Sequence, residues 1–412
     1  MSRFTSGFRA LRQRNYRLYW LGQLVSQTGT WMQTTAQAWL VLQLTSSPFA
    51  IGLVAVFQFL PVTLFALLGG AIADRVPRYR LILITQTFGL MQAAIFGLLV
   101  GTGLIQLWQV YLLALTQGLI TAVDQPVRQA FAVTLVEGED RANAIALNSM
   151  MFNSSRIFGP ALAGLLIGLL GIAAVLYLNA ASFLAVLAGL LWMDRALLHE
   201  APRRPGGAML AQVREGLRYI GRTPEILLVM ILMAGIGTFG YNFSVSLPLI
   251  GGFILHTSAE QYGLLGTFLG VGSLLGAFVT AFAKRINALR LLLSAVAFSL
   301  LLGSVALVSS YLVSAAVLLT LGLAGVLFTT TASTLIQLRV PDELRGRVTS
   351  VYQLLFMGST PIGGLLIGVL AHAFGVAVAL LVCAGLCLAS VVGAYVYWRR
   401  TAGDDSAGMK YE

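Results

Sequence analysis

The stretch Gly70-Ala71-Ile72-Ala73-Asp74-Arg75-Val76-Pro77-Arg78-Tyr79-Arg80 decides the reading of this chain. It is a short, strongly basic connection between two long apolar runs, roughly 48–73 and 81–101. Each run exceeds the ~20 apolar residues needed to cross a bilayer. A tight charged connection between two such runs is the pattern of a helix leaving a membrane and the next one entering it.

The rest of the chain repeats the pattern. Of 412 residues, 58% are hydrophobic and only 10% charged, where soluble domains carry about 25% charged residues. That balance excludes a soluble enzyme and a disordered protein. Twelve spans are predicted, at roughly 18–42, 48–73, 81–101, 107–127, 144–170, 172–193, 225–251, 260–283, 291–310, 312–336, 348–371 and 375–398. The 44 glycines suit close packing of membrane helices. Arg3 to Arg17 and Ala36-Gln37-Ala38 mimic a cleavable signal, but the first run is long, interrupted by glutamines and followed by more spans, so it is read as a retained helix.

The net charge is +11, and its placement matters more than its size. Nucleic-acid binders gather basic residues in a folded patch. Here all 26 Lys and Arg except Arg156 lie in the termini or in alternate connections. By the positive-inside rule, both termini and the central segment are cytoplasmic. Nucleic acid is therefore not an expected partner, whereas membrane lipid is.

A longer polar segment, 194–224, separates the sixth span from the seventh and contains Pro202-Arg203-Arg204-Pro205-Gly206-Gly207, a linker signal. After it, Met209, Val213, Leu217 and Ile220 recur at helical spacing among Arg214, Glu215 and Arg218. This is either an amphipathic helix on the membrane surface or a solvated linker helix. The expected organisation is a six-helix bundle over 1–193, the linker 194–224, a second six-helix bundle over 225–398 and a tail 399–412. Weak internal repeats agree. Ala73-Asp74-Arg75 and Arg80 are echoed by Ala283-Lys284-Arg285 and Arg290. Pro160 and Gly164-Leu165-Leu166-Ile167-Gly168 are echoed by Pro361 and Gly364-Leu365-Leu366-Ile367-Gly368. Duplicated halves around a central loop are a transporter plan.

Several chemistries have no residues to carry them. Lys284 and Lys410 are the only lysines, so no phosphate-binding loop ending in Lys exists. His199, His256 and His372 are isolated, and Cys383 and Cys387, four apart on one helix face, read as small packing residues. The run Gly263, Gly266, Gly270, Gly272 and Gly276 reads as helix packing. No cofactor or metal is expected, and no enzyme.

Two polar features inside the spans stand out. Gln23, Ser26, Gln27, Thr30, Gln33, Thr34 and Gln37 fall three or four apart on one face of the first span. Lipid does not tolerate such a face, so it lines either a cavity or a polar helix interface. Arg156 lies roughly 18 Å into the fifth span, on a face shared with Asn148, Ser149, Phe152 and Asn153. A charge at that depth costs on the order of 3 kcal/mol on insertion scales. It therefore binds a polar or anionic substrate group or pairs with an acidic side chain.

The basic connection at 70–80 resembles the signature loop of the major facilitator superfamily. With the twelve-span plan and central loop, the resemblance covers almost the whole chain. It implies a conformational latch formed by Gly70, Asp74, Arg75, Arg78, Arg80 and Asp124, with Asp124 paired to Arg78 and Asp74 set at the start of the eleventh helix. Pro77 departs from the usual Gly. Ser155-Arg156-Ile157-Phe158-Gly159-Pro160, with Gly164, resembles the antiporter motif of the fifth helix, in which Arg156, Gly159, Pro160 and Gly164 are the matched or notable positions. The same family plan implies a central cavity lined by spans one, four, seven and ten. The candidate lining is Gln23, Gln27, Thr30, Gln33, Thr34, Gln37, Gln117, Thr121, Asn153, Arg156, Tyr241, Asn242, Thr330 and Thr334, with Trp31 and Phe239 as aromatic walls. Asn15-Tyr16-Arg17-Leu18-Tyr19-Trp20-Leu21-Gly22-Gln23, Gly29-Thr30-Trp31-Met32-Gln33 and Asp124-x-Pro126-x-Arg128, together with Val340-Pro341-Asp342-Glu343-Leu344-Arg345-Gly346-Arg347, resemble the bacterial branch of enterobactin exporters and macrolide-efflux proteins.

The resemblance implies a monomeric, proton-coupled exporter of a bulky amphipathic small molecule, drug or siderophore, in the bacterial cytoplasmic membrane. One charge crossing 100 mV supplies ~2.3 kcal/mol, enough for a roughly fifty-fold gradient. A facilitator or importer of a small polar solute is the alternative within transport. A membrane-embedded protein without transport activity is the alternative outside it.

Overall fold

The computed structural model describes the backbone of residues 8–138, 140–197, 209–282 and 286–408, and within these the side chains except at 66–71, 73–75, 209–213, 357 and 401–408. The latch residues Gly70, Asp74 and Arg75 and the repeat residues Lys284 and Arg285 thus lie outside the described side chains.

Among the described residues the fold is all α-helix. The helices are α1 (Arg14–Leu44), α2 (Pro48–Arg75), α3 (Arg78–Gly101), α4 (Leu107–Thr134), α5 (Asp140–Leu170), α6 (Ile172–Leu191), α7 (Met209–Arg222), α8 (Pro224–Phe239) and α9 (Phe243–Leu249). A π-helical turn at Ile250–Ile254 follows, then α10 (Ala259–Ala281), α11 (Ala288–Val305), α12 (Tyr311–Arg339), α13 (Asp342–Gly358), α14 (Thr360–Phe374) and α15 (Val376–Gly408). Pro48 and Pro224 open α2 and α8 at the position where a missing N–H costs least. The bends between consecutive spans at Gly171 and Gly375 need φ of +83° and +87°, which glycine supplies without strain.

Ten stretches among the described residues are long and apolar enough to cross a membrane. Two of them join consecutive helices: α8, α9 and the π turn form one, and α13 with α14 another. The remaining two expected spans are α1, of 31 residues, and α4, of 28, both long enough for the ~30 Å hydrocarbon core. They fall short in apolarity because they carry the glutamine-rich face, and Gln117, Thr121, Asp124 and Arg128. The seventh and eleventh spans were expected to be continuous. Each is broken instead, at Gly240–Asn242 and at Ser359.

The chain divides into two compact units. The first comprises Met1–Ser46, Phe57–Pro205 and Thr257–Thr267, and the second Ser47–Val56, Gly206–His256 and Phe268–Glu412. The first turns of α2 thus pack in the second unit, and the first turns of α10 in the first.

In the first unit, α1 is the hub. Gly22 and Gly29 let it touch α6 closely: a Cβ on Gly22 would lie 2.9 Å from the Val186 Cα. The segment from Asn15 to Gln23 is explained almost residue by residue. Asn15 donates to the Asp194 carbonyl (2.9 Å) and accepts from the Asp194 N–H (3.0 Å), tying the start of α1 to the end of α6. The Tyr16 hydroxyl donates to the Ala144 carbonyl (3.0 Å) and the Trp20 indole N–H to that of Leu147 (3.1 Å), holding α5. Pro160 and Gly164 of α5 receive α10, where a Cβ on Gly164 would lie 2.9 Å from the Gly263 Cα.

In the second unit, Ile226, Leu228, Leu232, Met233 and Ile236 of α8 are fully buried at the centre. Gly52 of α2 packs on α14, where its Cβ would lie 2.7 Å from the Gly364 carbonyl oxygen. The repeat predicted around 164–168 and 364–368 thus has one physical use in both copies: small residues that let two backbones meet. Cys383 and Cys387 are free and buried, as packing residues should be.

Candidate functional site

The first unit holds a buried charged cage. Pro126 lies within α4, and one turn of that helix joins Asp124 to Arg128. The Arg128 Nε sits 2.6 Å from Asp124 Oδ2. Asp124 Oδ1 accepts from the Thr85 hydroxyl (2.6 Å) and the Gln86 amide (2.9 Å), both on α3. Arg128 Nη1 donates to Gln23 Oε1 on α1 (3.1 Å), and the Tyr19 hydroxyl donates to the Arg128 carbonyl (3.4 Å). Asp124 is the one buried carboxylate among the described residues. Desolvating it is tolerable only because these donors and the guanidinium replace water.

Asp124 was expected to pair with Arg78. Its ion-pair partner is Arg128, while Arg78 is half-buried at the start of α3 and Arg80 is exposed, neither in an ion pair with a described residue. The intrahelical spacing explains this: four residues place the two side chains on one face. The cage also keeps unspent capacity. Gln23 Nε2 and Gln86 Oε1 are buried without hydrogen-bond partners, one a donor and one an acceptor.

A second buried polar chain lies further along α1. Asn179 of α6 donates to Gln33 Oε1 (2.7 Å), Gln33 donates to Gln92 Oε1 of α3 (3.1 Å), and Gln92 donates to the Leu113 carbonyl of α4 (3.1 Å). Four helices are thereby joined through three amides. The glutamine face of α1 thus does two jobs. Gln23 belongs to the charged cage and Gln33 to this chain, while Gln27 and Gln37 are buried. Thr30 and Thr34 are half-buried and donate to carbonyls one turn back, at Ser26 and Thr30.

The other candidate lining residues of this unit are more open. Gln117 is half-buried and donates to the Thr121 hydroxyl (3.4 Å). Asn153 is exposed and donates to the Ser149 carbonyl, and Arg156 is half-buried one turn away. Gly159 seats the Trp31 side chain, which meets Phe152 edge-on at 6.0 Å.

In the second unit the span is interrupted between α8 and α9 at Gly240–Asn242, and discontinuous helices are a feature of transporter sites. Tyr241 at this break stacks on Phe298 with centroids 5.1 Å apart and meets Phe356 edge-on at 5.1 Å. Asn242 is buried, donates to the Thr238 carbonyl (2.6 Å) and leaves its Oδ1 without a partner. Gly363, just past the break at Ser359, packs on Thr238 and Asn242. Thr330 and Thr334 are half-buried on α12, with the Thr334 hydroxyl donating to the Thr330 carbonyl (2.8 Å).

Thr85, Gln86, Gln92, Asn179 and Arg128 were not among the expected site residues. The signal was present: a lone Gln or Asn in an otherwise apolar span needs a partner inside the protein.

A buried charged pair and amide chain within long apolar helices mark a polytopic membrane protein. The chain belongs to the transmembrane secretion effector family of the major facilitator superfamily, whose model matches residues 5–410. It is 29% identical over 374 residues to the multidrug efflux pump Tap of Mycolicibacterium fortuitum, covering 85% of this chain and 88% of Tap. It is 26% identical over 409 residues to the enterobactin exporter EntS of Salmonella paratyphi A, covering 95% and 96% of the two chains. Among solved structures, a POT family transporter in complex with a thioalcohol-conjugated peptide superposes with a TM-score of 0.75 at 11% identity, over 94% of this chain and 96% of that one. That likeness establishes the fold alone. The protein is thus a multi-pass membrane transporter and not an enzyme.

Proposed function

We propose that this protein is a proton-coupled exporter of a bulky amphipathic small molecule of the drug or siderophore type. It acts as a monomer in the bacterial inner membrane, with both termini in the cytoplasm. The moving bodies are the six-span halves 1–193 and 225–398, joined by the linker 194–224 and followed by the tail 399–412. The names of the relatives Tap and EntS support the substrate type and the direction. The candidate lining is mostly uncharged within each unit, Gln117 and Asn153 with Arg156 in the first and Tyr241, Asn242, Thr330 and Thr334 in the second, which suits a large solute with scattered polar groups.

The observation that carries the coupling is the Asp124–Arg128 pair. Gly70, Asp74, Arg75, Arg78 and Arg80 form with Asp124 a latch that has two arrangements. In one, Asp124 holds Arg128, as here. In the other it holds Arg78. Exchange of Asp124 between the two arginines couples proton entry to the change of state, with Gln23 and Gln86 supplying the spare donor and acceptor. Arg156, Gly159, Pro160 and Gly164 act as the antiporter-type element of α5. The test is uptake of dyes, macrolides and catecholate siderophores by energised inverted vesicles containing the protein. Uptake that collapses with a protonophore supports the reading, and uptake indifferent to it removes proton coupling.

A further inference from the structure

Helix α7 has one face on the protein and one face open. Gly216 and Ile220 are buried, and Gly216 packs on the Arg347 backbone of α13. Glu215 pairs with Arg347, and the Tyr219 hydroxyl donates to the Arg339 carbonyl of α12 (3.2 Å). Arg339 is in turn paired to Glu225 at 3.0 Å. Glu225 and Glu215 are therefore engaged by arginines of α12 and α13 respectively. On the open side, Arg214, Leu217, Arg218, Gly221 and Arg222 are all exposed. Their spacing of 3, 4, 7 and 8 residues from Arg214 makes one continuous helical stripe. Its three guanidiniums form no ion pair with a described residue, and Leu217 is 52% exposed between them.

The stripe sits at a fixed depth. Only Thr223 separates Arg222 from Pro224, the first residue of an apolar span. Arg222 and Arg218, in the last turns of α7, therefore lie at headgroup level. Under the topology proposed above, that is the cytoplasmic leaflet, whose anionic lipids attract basic residues near the span.

We propose that the open stripe of α7 (Arg214, Leu217, Arg218 and Arg222) is a docking surface for anionic phospholipid headgroups of the cytoplasmic leaflet. The arginines bind the phosphates and Leu217 enters the headgroup boundary. Charge complementarity selects this occupant: an apolar partner would leave three cations unpaired, and a solvated stripe gives Leu217 no role. Because the opposite face of α7 is fastened to α12 and α13, lipid charge acts directly on the second unit.

The test uses the full chain with Leu217→Cys carrying a nitroxide, in nanodiscs of phosphatidylcholine alone or with phosphatidylglycerol; the native Cys383 and Cys387 are buried. With phosphatidylglycerol, the label should lose access to a water-soluble nickel chelate and gain access to oxygen. Each neutralised arginine should shift the docked-to-free ratio by roughly fivefold. The protection should vanish near 1 M salt, where the screening length is about 3 Å, and in Arg214→Gln/Arg218→Gln/Arg222→Gln. Equal accessibility in both lipids, or protection that survives salt or the triple substitution, overturns the proposal. The salt series needs only the labelled chain, so a poorly folding triple variant does not shield the idea. No transport is measured, so the result is independent of whether the chain exports drugs or siderophores.

Discussion

Asp124 and Arg128, one turn apart on α4, form an ion pair at 2.6 Å with three further polar side chains around it. The pair is cooperative in a testable way. Breaking a buried pair by removing one partner costs about 3–5 kcal/mol, because the other charge is left uncompensated. Arg128→Met should therefore lower the thermal stability of the purified protein sharply. Asp124→Asn/Arg128→Met should recover much of the loss, since no charge remains buried. Additive losses in the double variant would show that the two side chains act separately.

The amide chain from Asn179 through Gln33 and Gln92 to the Leu113 carbonyl is a structural fastening of the first unit. Hydrogen bonds between membrane helices contribute ~0.6 kcal/mol on average and up to ~1.7. Gln92→Leu removes two bonds and leaves the Gln33 amide without an acceptor. It should destabilise by about 1–2 kcal/mol, read as a shift in detergent-dependent unfolding. Affinity for a transported compound should stay unchanged, because the chain is buried.

Glycine positions separate into two kinds. A Cβ at Gly363 has no room between Thr238 and Asn242, and at Gly164 it would lie 2.7 Å from the Ala259 carbonyl oxygen. Gly363→Val and Gly164→Val should both impair folding or accumulation in membranes. At Gly385 a Cβ meets nothing within 4 Å inside a helix. Gly385→Ala should be neutral or stabilise by up to ~1 kcal/mol through helix propensity. Thermal melts of the three variants, expressed side by side, compare them directly.

Much of this fold is legible in the residues themselves. The basic connections mark the span ends, and the glutamine face of α1 announces polar partners. What the spacing does not reveal is which partner each glutamine takes. Gln23 and Gln33 look alike in sequence, yet one meets an arginine and the other an asparagine, because the neighbours come from α4 and α6, over 100 residues away. The breaks at Gly240–Asn242 and Ser359 are also hidden. The second carries a helix-start signal in Ser359 and Pro361 that the long apolar run masks, and packing of Gly363 against Thr238 and Asn242 brings the two breaks together. The pairing of Asp124 with Arg128 rather than Arg78 reflects a local spacing that the family comparison alone passes over.

The most direct test of the central claim measures proton movement in proteoliposomes holding a pH-sensitive dye, on addition of a compound transported in the vesicle assay. The wild-type protein should move protons against the substrate. Asp124→Asn, correctly inserted and still binding that compound, should bind without moving protons. Proton movement of equal size in Asp124→Asn would contradict the account and place the coupling elsewhere in the chain.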